Sequence, residues 1–254
     1  MKNLFAINEK IILVTGSGQG IGRSLAENMA ELGAFVYCFD IKFPNSIPKN
    51  LLKNLFHVKC DITNIKKFQK SCEKIFLKHQ KIDVLINNAG VTFPKTNNDE
   101  YEQKKWLDTI NLNLTAVFNC TQIVIKQMIK NKKGSIINIT SINAELGFPN
   151  NPAYVASKGG LKMLGKSFAR DYGIYGIRVN NLGPGYFKTN MNKKSWENKK
   201  TRKMRTARTL LGRWGEPEEL VGPCIFLASD ASSYITGLDL YVDGGWLTNG
   251  LALN

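Results

Sequence analysis

Thr15-Gly16-Ser17-Gly18-Gln19-Gly20-Ile21-Gly22 is the stretch on which the fold turns. Before it lies a short apolar run, Ile11 to Thr15, of strand length. After it, Ile21, Leu25, Met29 and Leu32 recur at helical spacing, and Gly33 suits the end of that helix. A glycine-rich turn between a strand and a helix lets backbone come close to a pyrophosphate. The helix then offers its unsatisfied N–H groups and the positive end of its dipole to the phosphates. Glycines alone would say little; the strand before and the helix after give them meaning. Gly16, Ser17, Gln19, Gly20, Ile21 and Gly22 are therefore the expected contacts to a dinucleotide cofactor.

Outward from this turn, short apolar runs alternate with helical patterns. Phe35 to Phe39 reads as the second strand and Phe56 to Cys60 as a weaker third. Val84 to Asn87, Ser135 to Ile139, Ile177 to Leu182 and Leu238 to Val242 complete about seven. Between them, about 65–79, 100–130, 153–172 and 217–228 read as helices. Strand–helix alternation implies right-handed crossovers and a parallel sheet covered on both faces. The expectation is an α/β fold: one doubly wound, Rossmann-type sheet in a single dinucleotide-binding and catalytic domain over 1–254. The only long stretch without a strand, 186–213, is the expected substrate lid.

The 254 residues suit such a domain, and 43% hydrophobic with 22% charged residues is ordinary for a globular chain. The five cysteines form no CxxC pair and sit partly in apolar runs, so they are expected to be reduced and buried. The two histidines, His57 and His79, neighbour no ligating cluster, so no metal is expected. The run Lys10 to Val14 is too short for a signal sequence, and no segment has membrane-spanning length; the expected location is the cytoplasm. A formal charge of +15 suggests an acidic partner or substrate. The lysines are spread along the chain without interleaved aromatics, which argues against nucleic acid.

Asp40 ends the second strand, 18 residues past Gly22. A carboxylate there accepts hydrogen bonds from both adenosine ribose hydroxyls and repels a 2′-phosphate, which favours NAD over NADP. Lys42, two residues on, weakens that preference.

With these spacings the chain resembles the short-chain dehydrogenase/reductase family over nearly its whole length. Asn87-Asn88-Ala89-Gly90 is similar to the signature after that family's fourth strand. Asn113, in Asn113-Leu114-Thr115, stands where the family keeps its catalytic asparagine. Ser141 precedes Tyr154 by 13 residues, and Tyr154-Val155-Ala156-Ser157-Lys158 is the YxxxK motif. Pro184-Gly185 and Thr189 match the turn that holds the nicotinamide amide. The resemblance implies that Asp61 and Ile62 flank the adenine, and that Asn88, Ala89 and Gly90 line the cofactor floor. It also implies a homotetramer. Where relatives that use NADP carry basic residues, this chain has Gln19 and Ile41, in agreement with Asp40.

Moving a hydride between nicotinamide and an alcohol or ketone needs a proton donor and a group to orient the oxygen. A free tyrosine has a pKa near 10 and is a poor base at neutral pH. Lys158 lies one helical turn from Tyr154, where its ammonium can favour phenolate. A fall of about 2–3 units corresponds to roughly 3–4 kcal/mol. Tyr154 is thus the expected general acid and base. Lys158 tunes it and bonds the nicotinamide ribose, and Ser141 stabilises charge on the substrate oxygen. By the resemblance, Asn113 holds a water that links Lys158 to solvent.

The lid is strongly basic: Lys188, Lys193, Lys194, Lys199, Lys200, Arg202, Lys203, Arg205 and Arg208 face only Glu197. One or two of these cations could bind a substrate carboxylate, although a solvated basic helix would read the same. Pro184 to Thr189, Gly212-Arg213-Trp214-Gly215 and Tyr241 to Trp246 are similar to gluconate 5-dehydrogenases and 2-deoxygluconate 3-dehydrogenases. A sugar acid or polyol is the expected substrate. The alternative within the family is a 3-oxoacyl-carrier-protein reductase, against which Asp40 argues. The alternative of another class is a non-catalytic cofactor sensor, which would be expected to have lost Tyr154 or Lys158.

Overall fold

Seven runs form strands: β1 (Ile11–Thr15), β2 (Phe35–Asp40), β3 (Leu55–Lys59), β4 (Val84–Asn87), β5 (Gly134–Ile139), β6 (Ile177–Pro184) and β7 (Asp239–Val242). The computed structural model describes residues 3–94 and 101–249. All strand pairs are parallel, in the order β3-β2-β1-β4-β5-β6-β7. Successive side chains of a strand face opposite sides, and the two sides carry separate cores. Ile12 and Val14 of β1 face one, while Ile11 and Leu13 face the other.

The first core is closed by α1 (Gly20–Glu31), through Leu25 and Met29, and by Val221, Cys224 and Leu227 of a later helix. The second is closed by α2 (Ile65–His79) through Phe68, Cys72 and Ile75, and by two long helices. Helix α2 is capped by Asn64, whose side chain accepts a hydrogen bond from the Lys67 N–H at 3.1 Å. All five cysteines are free and buried, and burial pushes every thiol above its ordinary range. Among the described residues no helix is long and apolar enough to cross a membrane.

Three departures from the expected elements bear on the site. The stretch expected to be helical from Glu100 divides into α3 (Gln103–Ile110), a π-helical turn (Asn111–Thr115) and α4 (Ala116–Asn131). Glu100 itself lies outside the described residues. After α5 (Pro152–Tyr172), β6 runs two residues further than expected, because Gly183 and Pro184 pair with Tyr241 and Val242. The segment 186–213 contains α6 (Lys193–Glu197) and α7 (Lys199–Thr206). It is fastened at both ends. Phe187 bridges Gly215, Lys188 pairs with Glu216, and Arg213 makes two bonds to Glu219, at 2.6 and 2.7 Å. Glu219 lies in a 3₁₀ turn, Pro217–Leu220, that leads into α8 (Val221–Ala228).

Candidate active site

The strand order reverses between β1 and β4, and a crevice opens beyond their carboxyl ends. A cleft of about 500 Å³ fills it. Of the expected cofactor contacts, Gly16, Gln19, Gly20, Ile21, Gly22, Asp40, Asp61, Ile62, Asn88, Ala89, Gly90 and Thr189 line this cleft. At Gly16 and Gly18 the turn leaves no room for a side chain. Gly16 has φ +66°, and a Cβ there would lie 2.6 Å from the Ala89 Cα. A Cβ on Gly18 would lie 2.0 Å from the Lys42 carbonyl oxygen. Backbone thus stands bare toward the cleft where the first turn of α1 presents its N–H groups, a cradle that fits a pyrophosphate.

Asp40 locks this turn as well as lining the cleft. Its Oδ2 accepts the Gly18 N–H at 2.8 Å, and its Oδ1 accepts those of Ile41 (2.7 Å) and Lys42 (3.1 Å). Ser17 takes another part than the one expected. Its side chain is buried and its hydroxyl donates to the Val14 carbonyl at 3.1 Å, so it braces the turn from behind. Asn88 does likewise, donating to the carbonyls of Thr15 and Gly16, each at 2.9 Å. Asp61 turns one oxygen to the Thr63 N–H (2.9 Å) and hydroxyl (2.8 Å), beside the buried Ile62.

Ser141, Tyr154, Lys158 and Asn113 come together beyond β5. Ser141 follows that strand, accepts the Asn143 N–H at 3.1 Å, and hydrogen-bonds the Tyr154 phenol. Tyr154 and Lys158 share one face of α5, with the Lys158 Nζ 5.7 Å from the centre of the Tyr154 ring. That ammonium is 4% exposed and donates to the Ile139 carbonyl at 2.7 Å. Burial holds its pKa down at about 8. The phenol departs from expectation: burial pushes it above its ordinary range, and the Ser141 bond only partly offsets that. Desolvation is the largest cause, and the Lys158 ammonium, 5.7 Å from the ring centre, does not reverse it.

Asn113 sits in the π-helical turn, fully buried. Such turns displace side chains from regular helical register. Here the amide clamps the main chain of Val91 from both sides: Oδ1 accepts its N–H at 2.8 Å, and Nδ2 donates to its carbonyl at 2.9 Å. Nδ2 also donates to the Ser157 hydroxyl at 3.1 Å. The side chain therefore has no amide proton left for a water; its visible work is to fix the loop after β4 against α5.

Pro184 and Gly185 end β6 away from the cleft wall. The Gly185 N–H donates to the Val242 carbonyl at 2.9 Å. Beyond them stands an aromatic group. The Tyr186 ring lies 4.7 Å from that of Trp246 and 5.2 Å from that of Trp214. Tyr186 stands near the Tyr154 phenol. Asn190 reaches back over the glycine turn, donating to the Gln19 Oε1 at 2.9 Å.

Several residues of this site escape a reading of the sequence. Thr15 uses its hydroxyl as a hub that accepts the N–H groups of Asn88 (3.0 Å) and Ala89 (3.1 Å). Ser157, inside the YxxxK motif, ties Asn113 to α5; its place between the motif's two functional residues was the available signal. Asn151 is 6% exposed, donates to the Thr92 hydroxyl at 2.8 Å, and leaves its Oδ1 unpartnered; no spacing rule marks it.

Comparison with known proteins places this geometry. A family model described as "Enoyl-(Acyl carrier protein) reductase" matches residues 16–247. The chain is similar to a 5-keto-D-gluconate 5-reductase of Escherichia coli strain K12: 38% identical over 254 residues, covering 97% of this chain and 99% of the relative. It is 38% identical over 244 residues to a 3-oxoacyl-[acyl-carrier-protein] reductase of Thermotoga maritima, covering 94% and 98%. Among solved structures it resembles a gluconate 5-dehydrogenase of Burkholderia cenocepacia J2315 in complex with NADP and tartrate. The TM-score is 0.89 at 34% identity, covering 96% of this chain and 98% of that one.

Proposed function

Since the chain belongs to the short-chain dehydrogenase/reductase family and is an oxidoreductase of that kind, we propose that it interconverts a secondary hydroxyl and a ketone on a sugar acid such as gluconate. The observation that carries this reading is the meeting of Ser141, Tyr154 and Lys158 beyond β5, beside a dinucleotide-shaped cleft. A nicotinamide dinucleotide, when bound there, supplies or accepts the hydride. The bare turn at Gly16 to Gly22 and the start of α1 hold its phosphates, Asp40 its adenosine ribose, and Asp61 and Ile62 flank its adenine. Thr189, which lines the cleft, receives the nicotinamide end.

In reduction, Tyr154 gives its proton to the ketone oxygen and Ser141 steadies the charge that builds there. Because burial raises the phenol, Tyr154 is fully protonated at neutral pH and ready as an acid. The reverse reaction needs a cation near the phenol, which Lys158 and an oxidised nicotinamide ring provide. The segment 186–213 acts as the lid, latched to the glycine turn through Asn190 and Gln19.

Asp40 supports NAD as the preferred cofactor. The relative from Burkholderia carries NADP, and three backbone N–H groups on the Asp40 carboxylate moderate its repulsion of a phosphate. Self-association through α4 and α5, where Phe118 and Met163 stand exposed, completes the reading. A second reading, reduction of a carrier-bound 3-oxoacyl group, is favoured by the Thermotoga relative and the basic surface.

Absorbance at the nicotinamide band with 5-keto-D-gluconate, gluconate and acetoacetyl thioesters, each with both cofactors, separates these readings. We expect sugar-acid turnover, faster with NADH than with NADPH, and loss of at least about 10³-fold in kcat for Tyr154→Phe with cofactor affinity kept. Retained turnover removes Tyr154 from its role. Preference for the thioester replaces the substrate, and preference for NADPH replaces the cofactor.

A further inference from the structure

Of the nine cations in the segment 186–213 named above, Arg205 alone is not fully exposed. Arg208 also lies over a ring, that of Trp246 at 5.9 Å, but Arg205 is the more enclosed of the two. Lys188 is paired with Glu216 and Lys193 with Glu197. Arg205 pairs with no carboxylate among the described residues. Its guanidinium lies over three aromatic faces instead: Tyr186 at 4.4 Å, Phe148 at 5.7 Å and Trp214 at 5.8 Å.

Those rings place it in the chamber where the phenol works. Phe148 belongs to the loop that starts at Ser141 and runs into α5 just before Tyr154. Tyr186 lies two residues past β6, the strand beside β5, and next to Tyr154 itself. Arg205 comes from α7.

A cation withdrawn from water without a counter-charge is unfavourable unless something replaces its hydration. The three rings supply part of that, and no hydrogen-bond acceptor for its N–H groups is found among the described residues. A planar fork of donors held by stacking is the geometry that matches a carboxylate through two parallel bonds. We propose that Arg205 is the receptor for the substrate's carboxylate, binding it so that the hydroxyl-bearing carbon chain reaches toward Tyr154 and Ser141. This rests on the sugar-acid reading above and deepens it. A carbon chain attached to a carrier would instead lay apolar methylenes against this cation, so Arg205 also selects against the acyl substrate.

The test compares Arg205→Leu, Arg205→Lys and the wild type on 5-keto-D-gluconate and on L-sorbose, a ketose with no carboxylate. Thermal melting and NADH affinity verify that each variant is folded. For Arg205→Leu we expect KM for the acid to rise about 30- to 100-fold with kcat within about threefold. Sorbose kinetics should stay within about twofold, and Arg205→Lys should restore part of the acid's KM. Unchanged KM for the acid, or an equal loss on both substrates, overturns the assignment while leaving the sugar-acid reading in place. A wild type that turns over the thioester but neither 5-keto-D-gluconate nor gluconate overturns that reading, and the carboxylate receptor with it. If Arg205→Leu does not fold, an unchanged KM in the folded Arg205→Lys is the overturning result.

Discussion

Lys158, in the role proposed above, comes at a cost to the fold. The unfolded chain keeps that proton to about pH 10.5, and the folded one only to about 8. Between those values the unfolded state binds more protons, so stability rises with pH across that window. Below it the buried charge costs about 3 kcal/mol. Replacing Lys158 by Met removes this cost and leaves the Ile139 carbonyl without its donor, a loss of about 1–3 kcal/mol. The expected result for the cofactor-free protein is no turnover, stability higher by about 1 kcal/mol at pH 7, a gain that vanishes at about pH 9, and a loss of about 1–2 kcal/mol by about pH 10.5. Urea unfolding of both proteins at pH 7, 9 and 10.5 checks it; a variant less stable at pH 7 refutes it. The identity of this lysine was legible in its spacing from Tyr154. The rise of the phenol was not, because burial belongs to the folded chain.

At the scale of elements, the glycine turn and the apolar runs foretold the strands and α1 because their cues are local. The cues that failed are the ones set at a distance. The π-helical turn brings Asn113 to Val91, 22 residues away. The sequence of α7, Lys-Lys-Thr-Arg-Lys-Met-Arg-Thr, has one apolar residue and so no period to read. The junction after the lid shows how charge fastens such a piece. Glu219 accepts the Glu216 N–H at 2.9 Å as well as the two bonds of Arg213. Arg213 first, then the Glu216 N–H, depress its pKa to about 2. A depressed carboxyl stabilises the fold above its unfolded pKa of about 4.3 and stops doing so as pH falls through 2. Solvent screens this exposed pair, so Glu219→Gln should cost no more than about 1 kcal/mol at pH 7. The difference between variant and wild type should narrow as pH drops from about 4.5 to 2. Thermal melts across that range report it, and a pH-independent difference would show that the charge is not involved.

Across the whole molecule, the parallel sheet gathers the candidate site residues at the carboxyl ends of its strands, and the segment 186–213 carries the nine cations named above. With a formal charge of +15, an anionic substrate is drawn toward these strand ends from a distance. Raising the salt from about 20 to 500 mM shortens the screening length from roughly 20 Å to a few ångströms. The expected outcome is a several-fold fall in kcat/KM for 5-keto-D-gluconate with little change for sorbose. Equal salt dependence for the two would mean that long-range attraction plays no part.

The five thiols are all inside the cores, and each is held in its unreactive form. Alkylating reagents at neutral pH should therefore find almost nothing to modify while the protein is native. Label uptake becomes a clock for opening, with five sites spread over both sides of the sheet. Cys60 borders the cleft, so its modification should slow most when a dinucleotide is added. Mild thiol-specific oxidants should likewise leave activity untouched, since no cysteine is placed to sense them.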